Sequence, residues 1–100
     1  MRILIRPEAR EDLRDASTWY ADQAPGLGNR FLAAIREQLL QISASPDAFP
    51  LFHQGTRRAL IRTFPYGIIY LLQPEQERIV VLAVLHCGRD PKLWRSRSQL

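Results

Sequence analysis

Seven aliphatic residues in a row, Ile79 to Leu85, stand between Arg78 and His86. Pro74-Glu75-Gln76-Glu77 precedes them as a polar turn, so the run reads as a strand over 78–86 rather than a helix. On a regular strand Ile79, Val81, Ala83 and Leu85 line one face, and Val80, Leu82, Val84 and His86 the other. Both faces are apolar. Such a strand sits in the middle of a sheet and is covered on both sides. Any fold for this chain must supply that cover.

The rest of the chain offers limited means to do so. Arg2 to Arg6 alternates around Ile3 and Ile5 and predicts a short strand. Pro7 stops the ladder and suits the first position of a helix. Ala9, Leu13, Ala16 and Tyr20 form one helical stripe with Trp19 at its edge, and Pro25-Gly26 breaks it. Leu27, Phe31, Ile35, Leu39 and Ile42 form a second stripe over about 27–43, ended by Ser45-Pro46. A tight turn makes the two helices an antiparallel hairpin. A loop over 46–56 follows, then a strand over 57–63, a turn or bulge at Phe64-Pro65-Tyr66-Gly67, and a strand over 68–73. The expected class is α+β, with an N-terminal strand and a helical hairpin packed on a three- to four-stranded antiparallel sheet. The 100 residues make one domain, 1–100. The hairpin covers one sheet face. The other is left to the tail after Gly88 or to a partner.

Charge is placed rather than spread. Residues 1–54 carry six Arg and seven Asp or Glu, a net of −1, whereas residues 55–100 carry seven Arg, one Lys and three Asp or Glu, a net of +5. An Arg-rich sheet rim suits a polyanion or an acidic protein partner, and charge alone does not choose between them. The single cysteine, Cys87, excludes an internal disulfide and fits a reducing compartment. The N-terminal apolar run is too short for a signal peptide, and no segment approaches the roughly 20 apolar residues of a membrane span. A cytoplasmic protein is expected.

No strong catalytic motif is present. His53, His86 and Cys87 do not form a metal-ligand cluster, and there is no glycine-rich phosphate loop, so neither metal nor cofactor is expected. Interest falls on the basic and aromatic groups near the strand ends. His86 and Arg89 are read either as a site at the mouth of the open face, with Arg89 holding phosphate and His86 moving a proton, or as a structural histidine beside an ion-paired arginine. Arg57, Arg58 and Arg62 extend a basic patch or are solvated edge residues, and Arg58 and Arg62 share strand parity. Tyr66 is a stacking platform or a turn aromatic. Trp94 anchors the tail by packing, among the basic residues Arg95 and Arg97.

The run RR-x-L-x-R-x-FPY-x-I-x-Y, then IVVLAV-x-H, then RDP-x-x-W-x-x-R, resembles the ParE branch of the RelE/ParE toxin superfamily. Upstream, EARxDLxDAxxWYxxQAPGLGxRF resembles that family's helical hairpin, so the likeness spans nearly the whole chain. The resemblance implies the toxin of a type II toxin–antitoxin pair, wrapped by a cognate antitoxin in a hetero-oligomer. ParE-like members inhibit DNA gyrase by protein–protein contact. RelE-like members cut mRNA on the ribosome. Against the RelE pattern, Gly67 stands where an arginine follows the turn tyrosine, and Arg95 stands where a tyrosine lies near the C-terminus. Arg58 and Arg89 match basic positions of that pattern. The expectation is therefore a ParE-like gyrase inhibitor and not an enzyme. Its candidate binding residues for target or antitoxin are Arg57, Arg58, Arg62, Tyr66, His86, Arg89, Trp94, Arg95 and Arg97. The alternatives are an mRNA endonuclease using Arg58, Arg62, His86 and Arg89, or an inactive, antitoxin-binding member.

Overall fold

The computed structural model describes residues 1–88. Strand β1, Arg2–Ile5, turns Ile3 and Ile5 toward the core and leaves Leu4 half-exposed. Pro7 then opens helix α1, Pro7–Gln23, at the position where its missing N–H costs nothing, with Glu8 in the first turn. The Ala24 N–H returns to the Tyr20 carbonyl at 3.3 Å, and Gly26 adopts the left-handed conformation at φ 78°. That turn starts helix α2, Leu27–Ala44. The two helices approach closely at Gly28, where a Cβ would lie 2.6 Å from the Ser17 carbonyl oxygen.

Strands β2 (Arg57–Leu60), β3 (Tyr66–Gln73) and β4 (Arg78–His86) complete one sheet in the order β1-β4-β3-β2. The strand over 78–86 is thus interior, as its two-sided apolar pattern requires. Where the turns are short, pairing is antiparallel: Ile61–Pro65 joins β2 to β3, and a single 3-10 turn at Pro74–Gln76 joins β3 to β4. β1 differs from expectation. It pairs with β4 in parallel, Arg2 opposite Arg78 through Ile5 opposite Val81, so the sheet is mixed. A tight turn forces the chain to double back, whereas β1 is separated from β4 by both helices and the rest of the sheet. Its direction is set by where those elements deliver the chain.

Two further expectations are corrected. The strand expected over 57–63 ends at Leu60, and Tyr66 and Gly67 belong to β3 rather than to a turn. The turn is shifted toward the N-terminus, to 61–65, where Ile61 donates its N–H to the Tyr66 carbonyl at 2.9 Å and buries its side chain. The facial assignment along β4 also changes midway. Tyr70 and Ile69 of β3 pair with Val81 and Ala83, leaving Leu82 as an extra residue. This β-bulge reverses the alternation. Ile79, Val81 and Val84 join the core beneath the helices, while Ala83 packs with Ile69 and Leu85 on the opposite face.

Helix-side packing is dominated by aliphatic side chains and an aromatic cluster. Phe31, Ile42, Ile68, Tyr70 and Ile79 are fully buried. Phe31, Tyr20, Phe64 and Tyr66 meet with ring centroids 4.8–6.1 Å apart, mostly edge-to-face. The loop before β2 is tied down by three groups. The Tyr70 hydroxyl donates to the Pro46 carbonyl at 2.5 Å, the Arg57 guanidinium donates to the Phe49 carbonyl at 2.6 Å, and the buried Thr56 hydroxyl closes a turn onto the His53 carbonyl at 2.6 Å. No helix among the described residues is long and apolar enough to cross a membrane.

Candidate functional site

The bulge decides where the sequence's candidate residues stand. Beyond Leu82, the reversed alternation turns Val84 and His86 to the helix side. His86, at the end of β4, lies opposite Tyr66 at the start of β3, and their rings meet edge-to-face at 5.3 Å. The two line one wall of a cleft of about 690 Å³ whose other wall is α1 from Asp12 to Tyr20. His86 therefore does not sit at the mouth of the opposite face.

The imidazole's immediate chemistry is set by the backbone. Its Nδ1 accepts the Gly88 N–H at 3.0 Å, so the neutral ring carries its proton on Nε2. Neither nitrogen then offers a free lone pair. Accepting a proton at Nδ1 would require the ring to give up the Gly88 contact, and accepting one at Nε2 would require a change of tautomer as well.

The opposite face holds Arg58. Its guanidinium lies over the Phe52 ring at 4.4 Å from the centroid, and Phe52 in turn packs on Ile69 and Ala83. The Arg58 stem crosses β3 at Gly67, where a Cβ would lie 3.2 Å from Arg58 Cγ and 3.3 Å from Cδ. Gly67 is thus the low point in β3 that lets Arg58 lie flat. Absence of a side chain there has a structural cause on this face, beyond being the absence of an arginine.

Arg57 is half-buried and spends its guanidinium on the Asp47 and Phe49 carbonyls, which makes it an anchor of the loop. Arg62 is exposed beyond the end of β2, beside Glu37 and Gln38 of α2, so the strand parity expected to align it with Arg58 does not apply. Tyr66 is a packed member of the aromatic cluster. Arg89, Trp94, Arg95 and Arg97 lie outside the described residues. Of the groups named for a nuclease, Arg58, Arg62 and His86 are placed on the opposite face, beside α2 and on the helix side respectively; they are not brought together. Among the described residues no group of three His, Cys, Asp or Glu is arranged to hold a metal ion.

Three contributors were not singled out from sequence. Phe52 supplies the shelf for Arg58. Asp12 of α1 accepts the Val84 N–H at 3.0 Å, taking the role of a neighbouring strand where β1 has already ended. Trp19, 56% exposed, stands over the cleft with its ring edge-on to Tyr20. The spacing Asp12, Asp15, Trp19 on one helix was the only available signal, and it says nothing of what faces that helix. Burial raises the pKa of Tyr20, with a further upward push from Tyr66. Burial also raises that of Tyr70, with Arg57 opposing and Asp47 adding to the rise.

A family model described as the ParE toxin of the type II toxin–antitoxin system parDE matches residues 3–91. The toxin ParE2 of Mycobacterium tuberculosis is 31% identical over 94 residues, spanning 90% of this chain and 85% of that protein. Among solved structures, the toxin–antitoxin complex RelBE2 from M. tuberculosis contains a chain that matches with a TM-score of 0.61 at 28% identity, over 85% of this chain and 95% of that one. A chain of the chromosomal ParDE system from P. aeruginosa matches with a TM-score of 0.65 at 16% identity, over 86% and 95%, and carries the fold alone.

Proposed function

Since this chain belongs to the ParE toxin family of type II toxin–antitoxin systems, we propose that it inhibits DNA gyrase by protein–protein contact and that a cognate antitoxin neutralises it. One observation carries the choice of gyrase inhibition over mRNA cleavage. The described residues that a nuclease would need stand apart, with Arg58 and His86 on opposite faces of the sheet. Cleavage of RNA by a 2′-hydroxyl attack needs a base and an acid converging on one phosphate. Arginine stays protonated and is a poor base. His86 has its Nδ1 lone pair engaged by Gly88. A binding surface needs none of these groups to titrate. The antitoxin partner is supported by the RelBE2 toxin–antitoxin complex, one chain of which is 28% identical to this one, and the basic second half of the chain suits an acidic segment.

Purified toxin is to be assayed for gyrase supercoiling and for cleavage of ribosome-bound mRNA, as wild type and as His86→Gln. The expected result is blocked supercoiling that His86→Gln leaves nearly unchanged. Ribosome-dependent cuts that fall about 10²–10⁴-fold on substitution, with supercoiling normal, would overturn the proposal. A chain silent in both assays yet captured by its antitoxin would be an inactive member, and that outcome too is against it.

A further inference from the structure

The cleft between α1 and the end of β4 has a chemistry of its own. Buried Tyr20 and half-buried Tyr66 lie at its base, and Asp12, Asp15 and Trp19 project along its α1 wall. Helix α1 as a whole is acidic, with five carboxylates against two arginines, in a protein whose net charge is +4. Asp15 is exposed and makes no hydrogen bond or ion pair among the described residues. Trp19 is a large aromatic more than half exposed, at the cleft and not on a bare surface. Aromatic faces with adjacent carboxylates attract a cation and offer its aliphatic stem an apolar bed. Asp15 at the rim favours a cation over a neutral group by charge attraction and repels an anion.

We propose that this cleft is the docking site for an arginine or lysine side chain presented by a partner protein, with the cation beside Asp15 and the stem against Trp19 and Tyr20. Arginine fits better than lysine, because a planar guanidinium stacks on a ring while its N–H groups reach a carboxylate. The cleft thus provides a second, oppositely charged contact, apart from Arg58 on the other face. A partner that offers acidic groups to the basic half and one cation to α1 is selected by both signs at once. This rests on the reading that the chain works by protein–protein contact.

The test is an NMR titration of the full chain, freed from its antitoxin, with Nα-acetylarginine amide, and with the uncharged citrulline analogue as control. The indole N–H of Trp19, assigned with Trp94→Phe, and the amides of 12–20 report the cleft. Saturable shifts are expected with arginine and not with citrulline. Asp15→Asn and Trp19→Leu should each weaken binding by about 2–5-fold. Equal shifts with citrulline, or no weakening by Asp15→Asn, would overturn the proposal. So would a wild-type cleft that ignores the probe, including the case in which the chain's own basic residues after Gly88 hold it. Because the titration does not involve gyrase or ribosomes, its failure is distinguishable from failure of the gyrase reading.

Discussion

The two faces of this sheet are built from the same strands but solve different problems. On the helix side, Phe31, Tyr20, Phe64 and Tyr66 interlock under two helices, and bulky side chains fill the space. On the other side, among the described residues, Ile69 and Ala83 pack together, flanked by Phe52 and Leu85, with Arg58 lying across Gly67. The first face holds the fold together. The second holds a guanidinium on an aromatic shelf with its stem already packed, which leaves little side-chain entropy to lose on any further contact. The two faces thus differ in what they bury, and the bulge at Leu82 is where residues change allegiance.

The sharpest way to break that contrast is to cut one large side chain from each face. Phe31→Ala should lower unfolding free energy by about 3–5 kcal/mol, since the ring is fully buried among three others. Leu85→Ala on the half-buried opposite side should cost only ~1 kcal/mol. Urea titrations of the two variants measure both. Comparable losses would mean that the second face is as much a core as the first.

A smaller effect is expected at the place where β4 outruns β1. Asp12→Ala leaves the buried Val84 amide without its acceptor and should cost about 1–3 kcal/mol, with faster hydrogen exchange at Val84. Asp12→Asn keeps an acceptor oxygen and should recover most of that loss. If both variants exchange alike, the contact is carried by the charge of Asp12 rather than by its geometry.

The smallest effect appears in alkali and again separates the faces. Tyr20 and Tyr70, both on the helix side, have raised pKa values because burial disfavours the phenolate. The folded chain therefore holds these protons more tightly than the unfolded one. Their contribution is complete below the ordinary tyrosine pKa of about 10 and is lost as pH rises through the higher folded values. Denaturation midpoints measured on either side of that range should fall with pH, and Tyr20→Phe should flatten the fall. An unchanged slope in Tyr20→Phe would assign the loss to Tyr70 or to other groups.

Much of this architecture was legible because it is local. The stripe of Ala9, Leu13, Ala16 and Tyr20 and that of Leu27, Phe31, Ile35 and Ile42 specify helices by spacing alone. Pro7, Gly26 and the Pro74 turn mark ends through backbone sterics that need no partner. The aliphatic run of β4 announced an interior strand because no other place buries both its faces. The site was less legible. Arg57 and Arg58 are adjacent and chemically identical, yet one is spent on loop carbonyls and the other lies over Phe52. Strand alternation sends them to opposite faces, but no local rule says what each face meets.

What the sequence determined by itself, then, is the set of elements, their order and the family pattern, since helix period, strand period and turn chemistry act within a few residues. Tertiary structure alone decided the parallel direction of β1, the bulge at Leu82 and hence the face on which His86 stands. It also decided the meeting of Asp12 with Val84, residues that are 72 positions apart. The physical reason is register. A single residue inserted in one strand opposite its neighbour turns every later side chain over, and which residue is left unpaired depends on how two strands and a helix pack together.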